Sequence, residues 1–271
     1  MHTNWNFYLF MEVFRMGNLL KGKNILIMGV RNKWSIAWGI VQAAKENGAN
    51  VIITYLSDRE EKAALDLISD AENAFVYKCD ISSDSDIDNL FKEIKSKYGS
   101  LHGIVHSIAH AKTEDLQNNF VFTSREGFLH AMNISAYSLV AVCRGARDVM
   151  TNGGSIITLS YMGSEKVFPG YNVMGVAKAA LETSVKYLAY DLGSLNIRVN
   201  AISAGPMKTL SAKGVKNFGS MIENFELKAP FKGGLFQEDL GASALFYLSD
   251  LSRAITGEVT HVDCGFNIMG V

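Results

Sequence analysis

Two tyrosines and a lysine stand close together in Tyr161-Met-Gly-Ser-Glu-Lys-Val-Phe-Pro-Gly-Tyr171-Asn-Val-Met-Gly-Val-Ala-Lys178. A phenol can give a hydrogen bond or a proton to an oxygen that is gaining charge, and a nearby ammonium lowers the phenol pKa. Seven residues separate Tyr171 from Lys178, close to two helical turns, so the two share a face if the segment is helical. The segment follows an apolar, β-like run, Ser155-Ile-Ile-Thr-Leu-Ser160. A strand end that opens onto a helix carrying Tyr and Lys is where an α/β fold places chemistry. The spacing alone is equally consistent with a surface tyrosine and lysine that share a helix face.

The elements that must position these residues are legible as alternating apolar and amphipathic runs. Strands are expected at residues 23–29, 50–55, 74–78, 102–106, 155–160, 197–202 and 258–262. Helical patterns fall between them: from Ser35 to about Asn47, over 58–69 and 83–98, in one long helix over 124–150, from Asn172 to about Leu192, and over 238–248. Residues 203–230 read as irregular. Strand–helix alternation implies right-handed crossovers and a parallel sheet covered on both faces. The expected fold is therefore α/β, a single Rossmann-like doubly wound domain with about seven parallel strands. It spans 18–271 and carries a loop at about 203–230, while residues 1–17 are an extension of unassigned role.

Composition narrows the function classes. With 48% hydrophobic and 20% charged residues and a net charge of −1, the chain is of ordinary globular composition. Its charge gives no bulk electrostatic reason to bind nucleic acid or a membrane surface. The apolar run at 7–14 is too short to span a bilayer, and the N-terminus lacks the pattern of a signal peptide. Cys79, Cys143 and Cys264 are odd in number, far apart and without metal-ligand spacing. They read as free thiols in a reducing compartment, filling core positions, and no metal site is expected.

The first strand–loop–helix unit is a candidate dinucleotide site. Free N–H groups and the positive dipole end of a helix N-terminus suit a pyrophosphate. Gly29 permits a tight turn, and Ser35 can cap the helix or bond a phosphate. The pattern Gly29-x5-Ser35-Ile36-Ala37-x-Gly39 is not the common G-x-G-x-x-G, so a plain capped helix fits it too. Asp80 and Ile81 end the third strand, where a carboxylate can reach the adenine amino group. Ser107-Ile108-Ala109 ends the fourth, where small side chains leave room for ribose and nicotinamide. After the second strand come Leu56-Ser-Asp58-Arg59-Glu60. A base there would favour a 2′-phosphate and an acid a free ribose. Leu56 and Asp58 favour NADH, while Arg59 and Lys62 keep NADPH open.

Taken together, these motifs resemble those of the bacterial enoyl-[acyl-carrier-protein] reductases, a divergent branch of the short-chain dehydrogenase/reductase superfamily. The resemblance runs from about residue 18 to the C-terminus. It rests on the Gly29–Gly39 loop, His106-Ser-Ile-Ala109, Leu159-Ser-Tyr-Met-Gly163, Tyr171-x6-Lys178, Arg198-Val-Asn-Ala-Ile-Ser-Ala-Gly-Pro206 and His261-Val-Asp-Cys-Gly-Phe266. Ordinary superfamily members place Tyr four residues before Lys; position 174 is Met. The resemblance implies NADH-dependent reduction of a trans-2-enoyl thioester carried on acyl carrier protein. Tyr171 would bond the thioester oxygen, Lys178 the nicotinamide ribose, and Tyr161 would lie over the substrate beside Ala111. Residues 204–218 resemble the substrate-binding loop. Backbone groups of Met207, Lys208, Thr209, Leu210 and Ser211 would meet the carboxamide, and Lys208, Lys213 and Lys216 the acidic carrier protein. A cytoplasmic homotetramer is the family expectation. Two features depart from the pattern: only Lys232 is basic after Ala229-Pro230, and the N-terminal extension has no counterpart. Asn133 sits where many superfamily members keep an asparagine; a structural role is expected for it. Two other readings compete, a ketone or alcohol oxidoreductase of the same superfamily and a non-catalytic dinucleotide-binding regulator.

Overall fold

The computed structural model describes residues 17–69, 74–209 and 218–270. Seven parallel strands form one sheet in the order β3-β2-β1-β4-β5-β6-β7. They are β1 (Asn24–Met28), β2 (Asn50–Tyr55), β3 (Ala74–Lys78), β4 (Gly103–His106), β5 (Gly154–Ser160), β6 (Ile197–Ala204) and β7 (Val259–Val262). The central strands are mostly apolar because both faces are covered; every residue of β1 and β4 is buried, Asn24 and His106 included. Each fully buried Ile, Leu or Val contributes about 1.5–3 kcal/mol, so β1 alone anchors the sheet centre.

The helices are α1 (Ile36–Glu46), α2 (Asp58–Ile68), α3 (Asp84–Tyr98), α4 (Thr113–Gln117), α5 (Arg125–Met132), α6 (Ser138–Ala146), α7 (Val173–Gly193), α8 (Phe218–Lys228) and α9 (Gln237–Leu248). On one face Ile87, Leu90 and Phe91 of α3, Leu139 and Val142 of α6 and Leu181 and Val185 of α7 pack on Leu26, Ile104 and Ile156. On the other, Ile40 and Val41 of α1, Ala64 and Leu67 of α2 and Leu240 and Leu245 of α9 pack on Ile25, Ile53 and Ile157. Cys79 and Cys143 are buried and Cys264 half-buried, all three unpaired. Burial pushes the Cys79 thiol up to about 12 and raises the other two as well.

Strand order reverses between β1 and β4, and ligands of open α/β sheets gather at the carboxyl edge beside such a reversal. Met28 pairs in register with His106, so the loops after β1 and β4 leave the sheet side by side.

Two expectations are corrected. The span 124–150 is not one α-helix: residues Asn133–Tyr137 form a π-helical turn between α5 and α6. Residues 203–230 are not irregular throughout, since β6 runs to Ala204 and Phe218–Lys228 is helical. Phe218, Met221, Ile222 and Phe225 recur at helical spacing, and Ile222 and Phe225 are buried. Residues 1–16, with Leu210, Ser211, Lys213 and Lys216, lie outside the described residues.

Candidate active site

Gly29 leaves β1 with φ +86°, a conformation that suits glycine. A Cβ built there would lie 1.9 Å from the Ser107 carbonyl oxygen, so only glycine lets the two loops touch. Ser35 caps α1, its Oγ accepting from the Trp38 N–H at 3.3 Å. The first-turn N–H groups of α1, beginning at Ile36, therefore face the carboxyl edge of the sheet, as an anion site requires.

The loop after β4 is held from beneath. His106 is fully buried; its Nδ1 pairs with Thr158 Oγ1 at 2.9 Å and its Nε2 with Ser138 Oγ at 2.8 Å. Burial, reinforced by the Lys178 charge, lowers its pKa to about 3, so the imidazole is neutral. Ser135 Oγ accepts from the His110 N–H at 2.9 Å and sits 3.6 Å from Met174 Sδ. Ser135 belongs to the π-helical turn and Ser138 follows it directly, so the break in the long helix aims two hydroxyls at residues 106–110. Sequence periodicity gave no sign of them, because apolar spacing does not distinguish a π turn from an α-helix. Asn133, at the start of this turn, is exposed.

The tyrosines pack on each other after β5. The Tyr161 and Tyr171 rings lie 4.8 Å apart, edge to face, and Phe168 lies 5.1 Å from Tyr161. A Cβ on Gly163 would fall 2.4 Å from Tyr171 Cδ1, so that glycine makes room for the ring. Tyr171 is not within the helix. It precedes Asn172, whose φ of +44° is strained for a side-chain-bearing residue. Asn172 is pinned by Nδ2 donating to the Asn118 carbonyl at 2.7 Å and the Asp115 carbonyl at 3.2 Å. Ala111 and Tyr171 pack on one small cluster of Leu116, Ala131, Val173 and Met174.

Lys178 is buried on α7 and its amine donates to the Leu159 carbonyl at 2.6 Å. Desolvation lowers its pKa to about 8, partly offset by Glu182. One turn on, Glu182 accepts from Ser164 Oγ at 2.7 Å and from Ser160 Oγ. Sequence reasoning missed Glu182, although its four-residue offset from Lys178 is a facing pair on a helix. The expected lowering of the phenol pKa is overturned: burial, then Tyr161 and Glu182, raise that of Tyr171. Burial raises that of Tyr161 too. Both phenols therefore hold their protons at neutral pH and have a hydrogen to donate.

At the other strand ends, Asp80 Oδ1 accepts from the Ser82 N–H at 2.8 Å and Ser82 Oγ at 2.7 Å. Ile81 is buried, Ile108 half-buried against the core, and Met207 packs on the opposite core face. Lys208 is exposed and Thr209 half-buried, its N–H donating to the Met207 carbonyl at 2.9 Å.

Two buried polar groups test whether a ligand fits this edge. Tyr161 Oη is buried without a hydrogen-bond partner. An ammonium has three donors, and among the described residues the Lys178 amine meets one acceptor. Ribose hydroxyls and a polar substrate oxygen would satisfy what is left open.

The family model described as Enoyl-(Acyl carrier protein) reductase matches residues 29–267. The chain belongs to that family. It is 52% identical over 251 residues to the Bacillus subtilis (strain 168) Enoyl-[acyl-carrier-protein] reductase [NADH] FabI, covering 92% of this chain and 97% of that one. The Aquifex aeolicus protein of the same name is 49% identical over 254 residues, covering 93% and 94%. Among solved structures, the Bacillus cereus reductase with NADP+ and indole naphthyridinone superposes with TM-score 0.92 at 51% identity, covering 94% of this chain and all of that one. The Anaplasma phagocytophilum reductase in complex with NAD superposes at 0.90 and 45% identity, covering 95% and 96%. Met174, four residues before Lys178, fills a core position in the cluster on which Tyr171 packs.

Proposed function

We propose that the chain reduces the trans-2 double bond of an enoyl thioester carried on acyl carrier protein, using NADH. The observation that carries this reading is the convergence of two protonated phenols and a buried, under-bonded ammonium at the end of β5, beside a glycine-built phosphate loop. The bound dinucleotide supplies a hydride equivalent to the substrate β-carbon. Negative charge then collects on the thioester oxygen, where Tyr171, its proton held by burial, donates a hydrogen bond, and uptake of a solvent proton at the α-carbon completes the saturated chain. Lys178 holds the nicotinamide ribose hydroxyls, and its charge adds to the positive potential. Asp80 and Ile81 border the adenine, while Gly29, Ser35 and Ile36 border the pyrophosphate. Ile108 lines the nicotinamide side. Backbone groups of Met207, Lys208 and Thr209 are assigned to the carboxamide. Tyr161 and Ala111 border the acyl chain, and a buried Tyr161 Oη with no partner has a donor to offer substrate.

Acyl carrier protein and self-assembly into a cytoplasmic homotetramer belong to the same reading. Tyr187 and Tyr190 of α7 are 71% and 86% exposed, an apolar face suited to a second copy. Among the described residues no helix is long and apolar enough to cross a membrane. The test is NADH oxidation followed by absorbance with a crotonyl thioester. Oxidation dependent on the thioester is expected; none with any enoyl thioester, using NADH or NADPH, overturns the reading. The ketone or alcohol alternative predicts turnover with a ketone instead.

A further inference from the structure

The sequence after β2 offers no base at the turn. The fold brings one in from elsewhere. Arg31 leaves β1 two residues after Gly29 and its Nη2 donates to Glu60 Oε1 at 3.3 Å. Glu60 lies in the first turn of α2, and its other oxygen accepts from the Leu56 N–H at 3.0 Å. Between them is a cavity of about 180 Å³ lined by Val30, Arg31, Tyr55, Glu60, Ala63 and Ala64. It lies where β1 and β2 end, beside the reversal in strand order. Lys78, at the end of β3, is already paired with Asp58 at 2.8 Å. Arg59 and Lys62 are exposed on α2, and neither lines the cavity.

We propose that Arg31 is the receptor for a 2′-phosphate on the adenosine ribose and that Glu60 occupies it when the ribose is unphosphorylated. The proposal rests on the dinucleotide reading above and goes beyond it. The chain then takes both phosphorylated and unphosphorylated nicotinamide dinucleotides, with NADH preferred. Glu60 is clamped by a backbone N–H, so it stays near the ribose. The guanidinium is clamped by one long contact and its side chain is 56% exposed. Exposed pairs of this kind hold weakly, whereas a phosphate dianion can engage a guanidinium with two parallel bonds. Glu60 together with Glu61, which bonds Tyr55, and Asp58 sets an acidic frame that disfavours the extra phosphate. Two opposing groups facing one cavity make the preference a matter of degree.

Binding titrations by NAD(P)H fluorescence test this on the full chain. In Glu60→Gln the NADPH-to-NADH ratio of dissociation constants falls at least five-fold. In Arg31→Gln it rises at least ten-fold. The fragments 2′,5′-ADP and 5′-AMP, titrated calorimetrically, shift in the same sense because they carry the same end of the molecule. A ratio unchanged within two-fold in either variant overturns the proposal while leaving the dinucleotide site standing. Failure of the wild-type chain to bind either dinucleotide overturns both.

Discussion

At the β5–α7 end of the sheet edge, Lys178 is buried and the half-buried rings of Tyr161 and Tyr171 lock together against Gly163. At the β2–α2 end, the charged groups are solvated and paired with one another, Arg31 with Glu60 at 3.3 Å and Lys78 with Asp58 at 2.8 Å. The first arrangement shifts protonation: one ammonium drops to about 8 and two phenols rise. The second sets which charged group pairs with which. Burial tunes a group for one task, whereas exposure lets a site choose among ligands.

Substitutions break the contrast most sharply at the buried end. Tyr171→Phe removes the donor proposed for the developing oxyanion, so turnover should fall about 10²–10³-fold. NADH affinity should change little, and steady-state kinetics paired with NADH fluorescence titration separates the two. Equal losses in both would assign Tyr171 to cofactor binding instead.

Lys178→Met should weaken NADH at least ten-fold and also stabilise the free protein. The folded-state pKa of about 8 lies below the unfolded 10.5, so burying the charge costs up to about 3 kcal/mol at neutral pH. That cost disappears as pH rises from about 8 to 10.5, because the folded chain has then released the proton and the unfolded chain follows. Wild type should therefore gain on the variant through that window in denaturant melts. A variant less stable than wild type at pH 7 would show that the amine stabilises the fold.

In the wild type, NADH affinity should decline as pH rises through about 8, since the amine loses its charge, by a few-fold up to ten-fold. Lys178→Arg flattens that profile if Lys178 is the group responsible. Gly163→Ala forces the Tyr171 ring off its seat and should cost about 1–3 kcal/mol of stability, as overpacking does. At the exposed end, Asp58→Asn should change stability by less than about 0.5 kcal/mol. A larger effect there would erase the distinction between the two ends.

The strands and their order of appearance were legible because apolar runs are local facts, whereas the helix face expected to carry both Tyr171 and Lys178 starts only at Val173. Glu182 was not legible, since its significance lies in touching Ser160 and Ser164 across a turn. Arg31 was hidden for the same reason. It is 29 residues from Glu60 in the chain, and a search for a base immediately after β2 passes over it. The π turn at 133–137 escaped because its apolar spacing matches an ordinary helix closely. The helix at Phe218–Lys228 was legible in its spacing and was absorbed into the expected loop.

The cysteines carry a consequence for chemical robustness. The thiolate is the reactive form, and burial of Cys79 and Cys143 keeps both as thiols, with Cys264 shifted in the same direction. Cys79 stands next to Asp80, the residue proposed to border the adenine, yet it is buried in the core cluster. Oxidants and alkylating reagents therefore find no activated sulfur along the described part of this edge, and a thiol-directed inhibitor has nothing there to grip.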